Sequence, residues 1–149
     1  MKQMILAALL APAFANVFAE VVVSDAWVRA TVSQQKDTGA FMQLTSTETT
    51  RLVSIRSSVA DTAELHEMSF DNNVMRMRQM PGLDLPARAA VYLKPGGYHI
   101  MLFRLHKPLS TGQLVPITLV FESSNKQRSS MVVDAIVRPL ALPVASVKP

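Results

Sequence analysis

From Val21 onward, apolar and polar positions alternate in short runs that are separated by turn-forming residues. Alternation with a period of two sends successive side chains to opposite faces of a strand. Residues 21–23 and 26–32 predict one or two strands, broken near Ser24-Asp25. Residues 41–46 and 51–57 predict two more, joined by a Thr-rich turn. Residues 63–68 and 74–80 flank Asp71-Asn72-Asn73, a hairpin signal. Residues 89–93 and 98–105 flank Lys94-Pro95-Gly96-Gly97, which predicts a second hairpin. Residues 113–121 and 130–137 flank Ser123-Ser124-Asn125-Lys126 and predict a third. After the first residues, no segment of useful length carries the helical period. The pattern therefore predicts an all-β domain, an antiparallel sandwich or barrel.

The N-terminus differs. Lys2 precedes an apolar stretch over residues 5–15 that contains Pro12, and Val17-Phe18-Ala19 stands before Glu20. This is the pattern of a secretory signal peptide over residues 1–19, cleaved near Ala19, with Ala13-Phe14-Ala15 as an earlier option. The stretch is too short and too interrupted to span a bilayer, so no stable membrane insertion is expected. The alternative is an uncleaved anchor helix. No Cys follows the stretch, which excludes lipid attachment through an N-terminal Cys. Residues 20–138 form one domain, long enough to bury a core without disulfides. Residues 139–149, with Pro139, Pro143 and Pro149, are expected to be an extended tail. Export implies an extracytoplasmic site, where thiols tend to oxidise.

Charge narrows the function classes. The net charge is +4, but Arg76, Arg78, Arg88, Lys94, Arg104 and Lys107 form no dense block, and no aromatics interleave with them for base stacking. Nucleic-acid binding is therefore not expected. The charge reads as solubility with mild steering toward an acidic partner.

The candidate chemistry lies in two histidines and two methionines. Ten residues separate His66 from Met77, twenty-one separate Met77 from His99, and His99 and Met101 form a His-x-Met pair. With Cys 0 in the chain, imidazole and thioether are its soft ligands. Neutral nitrogen and sulfur donors suit Cu(I), whereas Zn(II), Mg(II) and Ca(II) prefer thiolate, carboxylate or carbonyl donors. A neutral donor set leaves the loaded site at +1, and because the imidazoles must be deprotonated, affinity falls on acidification. Alternation places His99, Met101 and Phe103 on one face and Ile100 and Leu102 on the other. His66 and Met68 share a face by the same rule, as do Met75 and Met77. Glu64 and Glu67 are either acceptors for a His N–H or solvated charges. Met42, Met80 and Met131 read as core filler, Met68 and Met75 are open between packing and the site, and His106 reads as a surface residue in a turn.

At these positions the chain resembles the periplasmic copper(I) chaperone family known as PCuAC, whose hallmark is a His, ten residues, a Met, twenty-one residues and then His-x-Met. Asp25-Ala26-Trp27-Val28-Arg29 resembles the family's opening strand. Val74-Met75-Arg76-Met77-Arg78 resembles its second ligand strand, and Lys94-Pro95-Gly96-Gly97-Tyr98-His99-Ile100-Met101 its most characteristic stretch. The likeness covers about residues 21–138. It implies a cupredoxin-like Greek-key β-barrel with copper at an exposed end, held by His66, Met77, His99 and Met101. It further implies a periplasmic, monomeric carrier that delivers copper during cytochrome c oxidase assembly, to the CuA subunit directly or with a Sco-type thiol protein. Two departures stand out. Residues 140–149 contain no His or Met, where some family members carry a second site, so one Cu(I) per chain is expected. Phe41-Met42-Gln43-Leu44-Thr45 stands where a Tyr and a later Asn are expected, which touches packing rather than the metal.

The rival functions are weaker. A blue-copper electron carrier needs a Cys thiolate, and the chain has none. A metallohydrolase needs a His/carboxylate site with an open position and a base. An exported adhesion or scaffold domain explains the fold and the leader but leaves the ligand spacing to chance. The expectation is a metal carrier and not an enzyme.

Overall fold

The computed structural model describes residues 18–139, and all its regular structure is β. The expected leader over residues 1–19 falls almost wholly outside the described residues, as does the expected tail beyond Pro139. The strands are β1 Val21–Arg29, β2 Thr38–Ser46, β3 Thr50–Ser57, β4 Ala60–Asp71 and β5 Val74–Gln79. They continue with β6 Leu83–Leu85, β7 Ala90–Leu93, β8 Tyr98–Leu105, β9 Leu114–Ser123 and β10 Arg128–Arg138. They form one sheet in the order β5-β4-β8-β7-β2-β1-β10-β9-β3-β6. Strands β3 and β4, far apart in that order, nevertheless pack on each other. The sheet therefore folds over its own apolar face into a sandwich.

Alternation decides which residues enter that core. Ile100 and Leu102 of β8, Leu44 of β2, and Val115, Ile117 and Leu119 of β9 are all fully buried, as are Val28, Ala135 and Val137. Met42 is buried, and Met80 and Met131 pack against the same cluster, so these three methionines fill the core as their positions predict. The hairpins at Asn72-Asn73 and at Ser123–Lys126 form as expected. Asn72 and Asn73 take φ values of 48° and 61°, the left-handed pair that a tight two-residue hairpin turn demands. The break near Ser24-Asp25 is a bulge inside β1, with Asp25 at φ 52° and a register shift between Ser24 and Trp27.

Two features depart from the expectation. The segment Lys94-Pro95-Gly96-Gly97 does not close a hairpin. Strands β7 and β8 run parallel and touch only at Leu93 and Tyr98, because both pair antiparallel with successive parts of β2. The turn is an outward loop in a chain that keeps its direction, with Gly96 at φ 83° and the Lys94 carbonyl accepting from the Gly97 N–H. Past it, β8 pairs with β4. The second departure is that β1 and β10 also pair in parallel, so among the described residues a mainly antiparallel sheet carries two parallel strand pairings and a parallel bridge between Ser46 and Ala87.

Leu102 tests the core assignment. Leu102→Ala is expected to lower the unfolding free energy by about 2–5 kcal/mol through lost burial and a residual cavity, read as a lower urea midpoint at unchanged slope. A loss of under about 1 kcal/mol would remove Leu102 from the packed interior.

Candidate metal centre

Strand register assembles the site. In the β4–β8 ladder His66 lies directly opposite His99, while their neighbours Leu65 and Ile100 oppose each other on the core face. In the β4–β5 ladder Met68 lies opposite Met77. Gly39 of β2 lies opposite Met101. His66, Met68, Met77, His99 and Met101 thus share one face of three adjacent strands, β5, β4 and β8.

The two imidazoles are buried and each has a fixed proton. His66 is 7% exposed and His99 6% exposed, with ring centroids 6.0 Å apart. His99 Nδ1–H donates to the Gly97 carbonyl at 2.9 Å. In a neutral ring this leaves a lone pair on Nε2, which faces Met77 Sδ at 3.4 Å. His66 Nε2–H donates to Glu64 Oε2 at 2.8 Å, and its buried Nδ1 has no partner. An unpartnered buried nitrogen is costly unless something outside the protein satisfies it. Glu64 therefore serves as an acceptor that sets a tautomer, whereas Glu67 binds Arg78 at 2.8 Å. The two rings offer opposite nitrogens, Nδ1 from His66 and Nε2 from His99.

The thioethers differ in exposure. Met77 lies on β5, the strand at one end of the sheet, and is 48% exposed, whereas Met101 is half-buried beside His99. Met101 and His99 line a cavity of about 270 Å³ with Met68, Gly39, Phe41 and Arg29 among its other walls. A first-row ion bound about 2.0 Å from an imidazole nitrogen and about 2.3 Å from sulfur holds the two donors about 3.5 Å apart at a tetrahedral angle. The 3.4 Å separation of His99 Nε2 and Met77 Sδ fits that span. Among the described residues no three His, Asp or Glu side chains gather where they could hold an ion. The donor set offered here is soft and neutral.

Sequence reasoning did not single out the aromatic support. Trp27 and Phe41 pack with ring centroids 4.5 Å apart, and Phe41 lies 6.4 Å from His99. On the other flank Phe103 lies 5.6 Å from His66. Arg29 sits over the Phe41 ring at 5.5 Å and Arg138 over Trp27 at 5.4 Å. The signal available in the sequence was the i, i+2 rule, which puts Gly39 and Phe41 on one face of β2. His106 is exposed and bonds Asp61 at 2.9 Å, away from the site. Arg104 and His106 together hold the Asp61 carboxyl below its ordinary range. Met75 is on the site face but 58% exposed, opposite Phe70.

A profile of the family described as "Putative lipoprotein LpqE-like" matches residues 21–133. The chain is 34% identical over 125 residues to "Putative lipoprotein Lxx21020" of Leifsonia xyli subsp. xyli (strain CTCB07), covering 83% of this chain and 69% of the relative. Among solved structures it is similar to the Cu(I)-bound solution structure of DR1885 from Deinococcus radiodurans. The identity is 30% and the TM-score 0.60, over 78% of this chain and 76% of that one. It is also similar to the apo PCuAC domain from PmoF1, at 22% identity and TM-score 0.66 over 80% and 94% of the two chains. The copper-bound PCuAC domain from PmoF2 matches at 21% identity and TM-score 0.65 over 80% and 93%. These likenesses establish a cupredoxin-like β-sandwich.

Gly39 tests the aromatic support. A Cβ there would lie 2.7 Å from Phe41 Cζ. Gly39→Ala is therefore expected to push the Phe41 ring, moving both the emission of Trp27, the single tryptophan, and the His99 imidazole resonances. The overpacking is expected to cost about 1–3 kcal/mol of stability. Unchanged emission and unchanged His99 resonances would show that Phe41 does not hold the site.

Proposed function

This chain belongs to the LpqE-like family, and we propose that it is a carrier of Cu(I), not an enzyme, which binds one ion through His66, Met77, His99 and Met101. The observation that carries the reading is the His99–Met77 pair. With its Nδ1 proton held by Gly97, His99 turns a lone pair on a thioether sulfur at 3.4 Å, a contact that a soft cation between them would convert into two bonds. The orphaned Nδ1 of His66 supplies a second buried nitrogen one strand away, and Met101 a second sulfur. Support comes also from the structural neighbours, whose names describe copper-bound and Cu(I)-bound forms.

The asymmetry of the donors suits transport. The histidines are buried and locked, so they hold the ion. Met77 is exposed on the end strand and its thioether is flexible, so it can yield to an incoming ligand. Cu(I) is the substrate in this scheme, and a copper-free protein retains its fold through a core that does not include the site. The reading extends to export by a signal peptide over residues 1–19, action of residues 20–138 as a monomer in the periplasm, and delivery to the CuA subunit of cytochrome c oxidase or a Sco-type protein. Among the described residues no helix is long and apolar enough to cross a membrane.

The test is anaerobic titration with Cu(I) against a chromophoric chelator. One equivalent is expected to bind. His99→Ala and Met101→Ala are each expected to weaken affinity by at least the ~10–100-fold that loss of an outer-shell partner costs a metal site, with the fold intact by circular dichroism. Affinity unchanged in both variants, or no binding by the wild type, would overturn the carrier reading.

A further inference from the structure

The four-residue constellation leaves out a thioether that the fold places among its members. Met68 lies opposite Met77 in the β4–β5 ladder, and directly opposed residues have their Cβ atoms about 4.5–5.5 Å apart. Met68 also lines the 270 Å³ cavity together with His99 and Met101, whereas Met77 does not. One carbonyl ties these elements together. Gly97 O accepts from the Met68 backbone N–H at 3.1 Å and from His99 Nδ1–H at 2.9 Å. The loop that orients the imidazole therefore also fixes the strand position of Met68. Met68 is half-buried, inward of the exposed Met77.

Packing does not account for this placement. Core-filling methionines in this chain, such as Met42, are enclosed by apolar neighbours. Met68 instead borders an open cavity whose walls include Arg29, Gln35 and Asp37. A thioether on a three-torsion side chain, beside two other soft donors and unfilled space, is free to reach the ion they hold.

We propose that Met68 is a third thioether ligand of the site, which takes over from Met77 when that residue gives way. This inference rests on the Cu(I) reading above. The ion then has two positions on the same pair of histidines. The outer position uses Met77 at the end of the sheet. The inner position uses Met68 and Met101 within the cavity. As a ligand from a partner protein displaces Met77 at the exposed edge, Met68 closes on the ion beside Met101, so Cu(I) keeps two thioether sulfurs from this chain throughout. No redox change or proton transfer is involved, since one neutral sulfur replaces another.

The experiment is NMR of the protein labelled at the methionine methyl groups, titrated anaerobically with Cu(I), which as a d10 ion leaves the resonances sharp. In the wild type the Met77 and Met101 methyls are expected to shift at one equivalent, and in Met77→Ala the Met68 methyl shifts with that of Met101, with Met42 and Met131 unmoved in both. In the Met77→Ala background Cu(I) still binds, and adding Met68→Ala weakens it by a further ~10-fold or more, on the scale of lost metal-site partners. In Met77→Ala, a shift at Met101 without one at Met68, or equal affinity of the Met77→Ala and double variants, would overturn this inference and leave the carrier reading standing. Shifts at none of the three would overturn the carrier reading itself.

Discussion

The register between β4 and β8 is the constraint on which the rest of the structure depends. It sets Leu65 against Ile100 on one face and His66 against His99 on the other. A slip of β4 by one residue would turn His66 into the core and Leu65 into solvent, against a β8 that stays in place. The apolar face therefore fixes the site: the same pairing that buries Ile100 and Leu102 completely brings two imidazoles to a 6.0 Å separation. The site needs little dedicated machinery because the hydrophobic effect selects its register.

What the register cannot supply is orientation, and this comes from neighbours. Gly97 and Glu64 each take one imidazole proton, so the free nitrogens are chosen before any ion arrives. Phe41, backed by Trp27, and Phe103 flank the rings. The methionines receive no such restraint. A rigid nitrogen pair and compliant sulfurs are what the proposed carrier role calls for, a donor set that holds a soft ion and still exchanges it.

Much of this was legible in the sequence. Period-two alternation showed the strands, and the i, i+2 rule put His99 with Met101 and His66 with Met68. The Asn72-Asn73 turn announced the hairpin that sets Met77 beside the His66 strand. The Lys94–Gly97 loop misled, because Pro-Gly-Gly encodes a turn but not the strand that receives the chain after it; pairing to β2 decided that β7 and β8 run the same way. The three-residue β6 was too short to show a period. Glu64 could not be told from a solvated charge, since its role depends on the side-chain direction of His66. Met68 stayed open because its significance lies in a cavity built from β2, β4 and the loop before β8.

The central claim is that soft, neutral nitrogen and sulfur donors from this one face hold Cu(I). X-ray absorption of the Cu(I)-loaded wild-type protein tests it most directly. The account predicts two imidazole nitrogens near 2.0 Å and at least two sulfurs near 2.3 Å, by the ordinary lengths of such bonds. A first shell of nitrogen and oxygen without sulfur would contradict it.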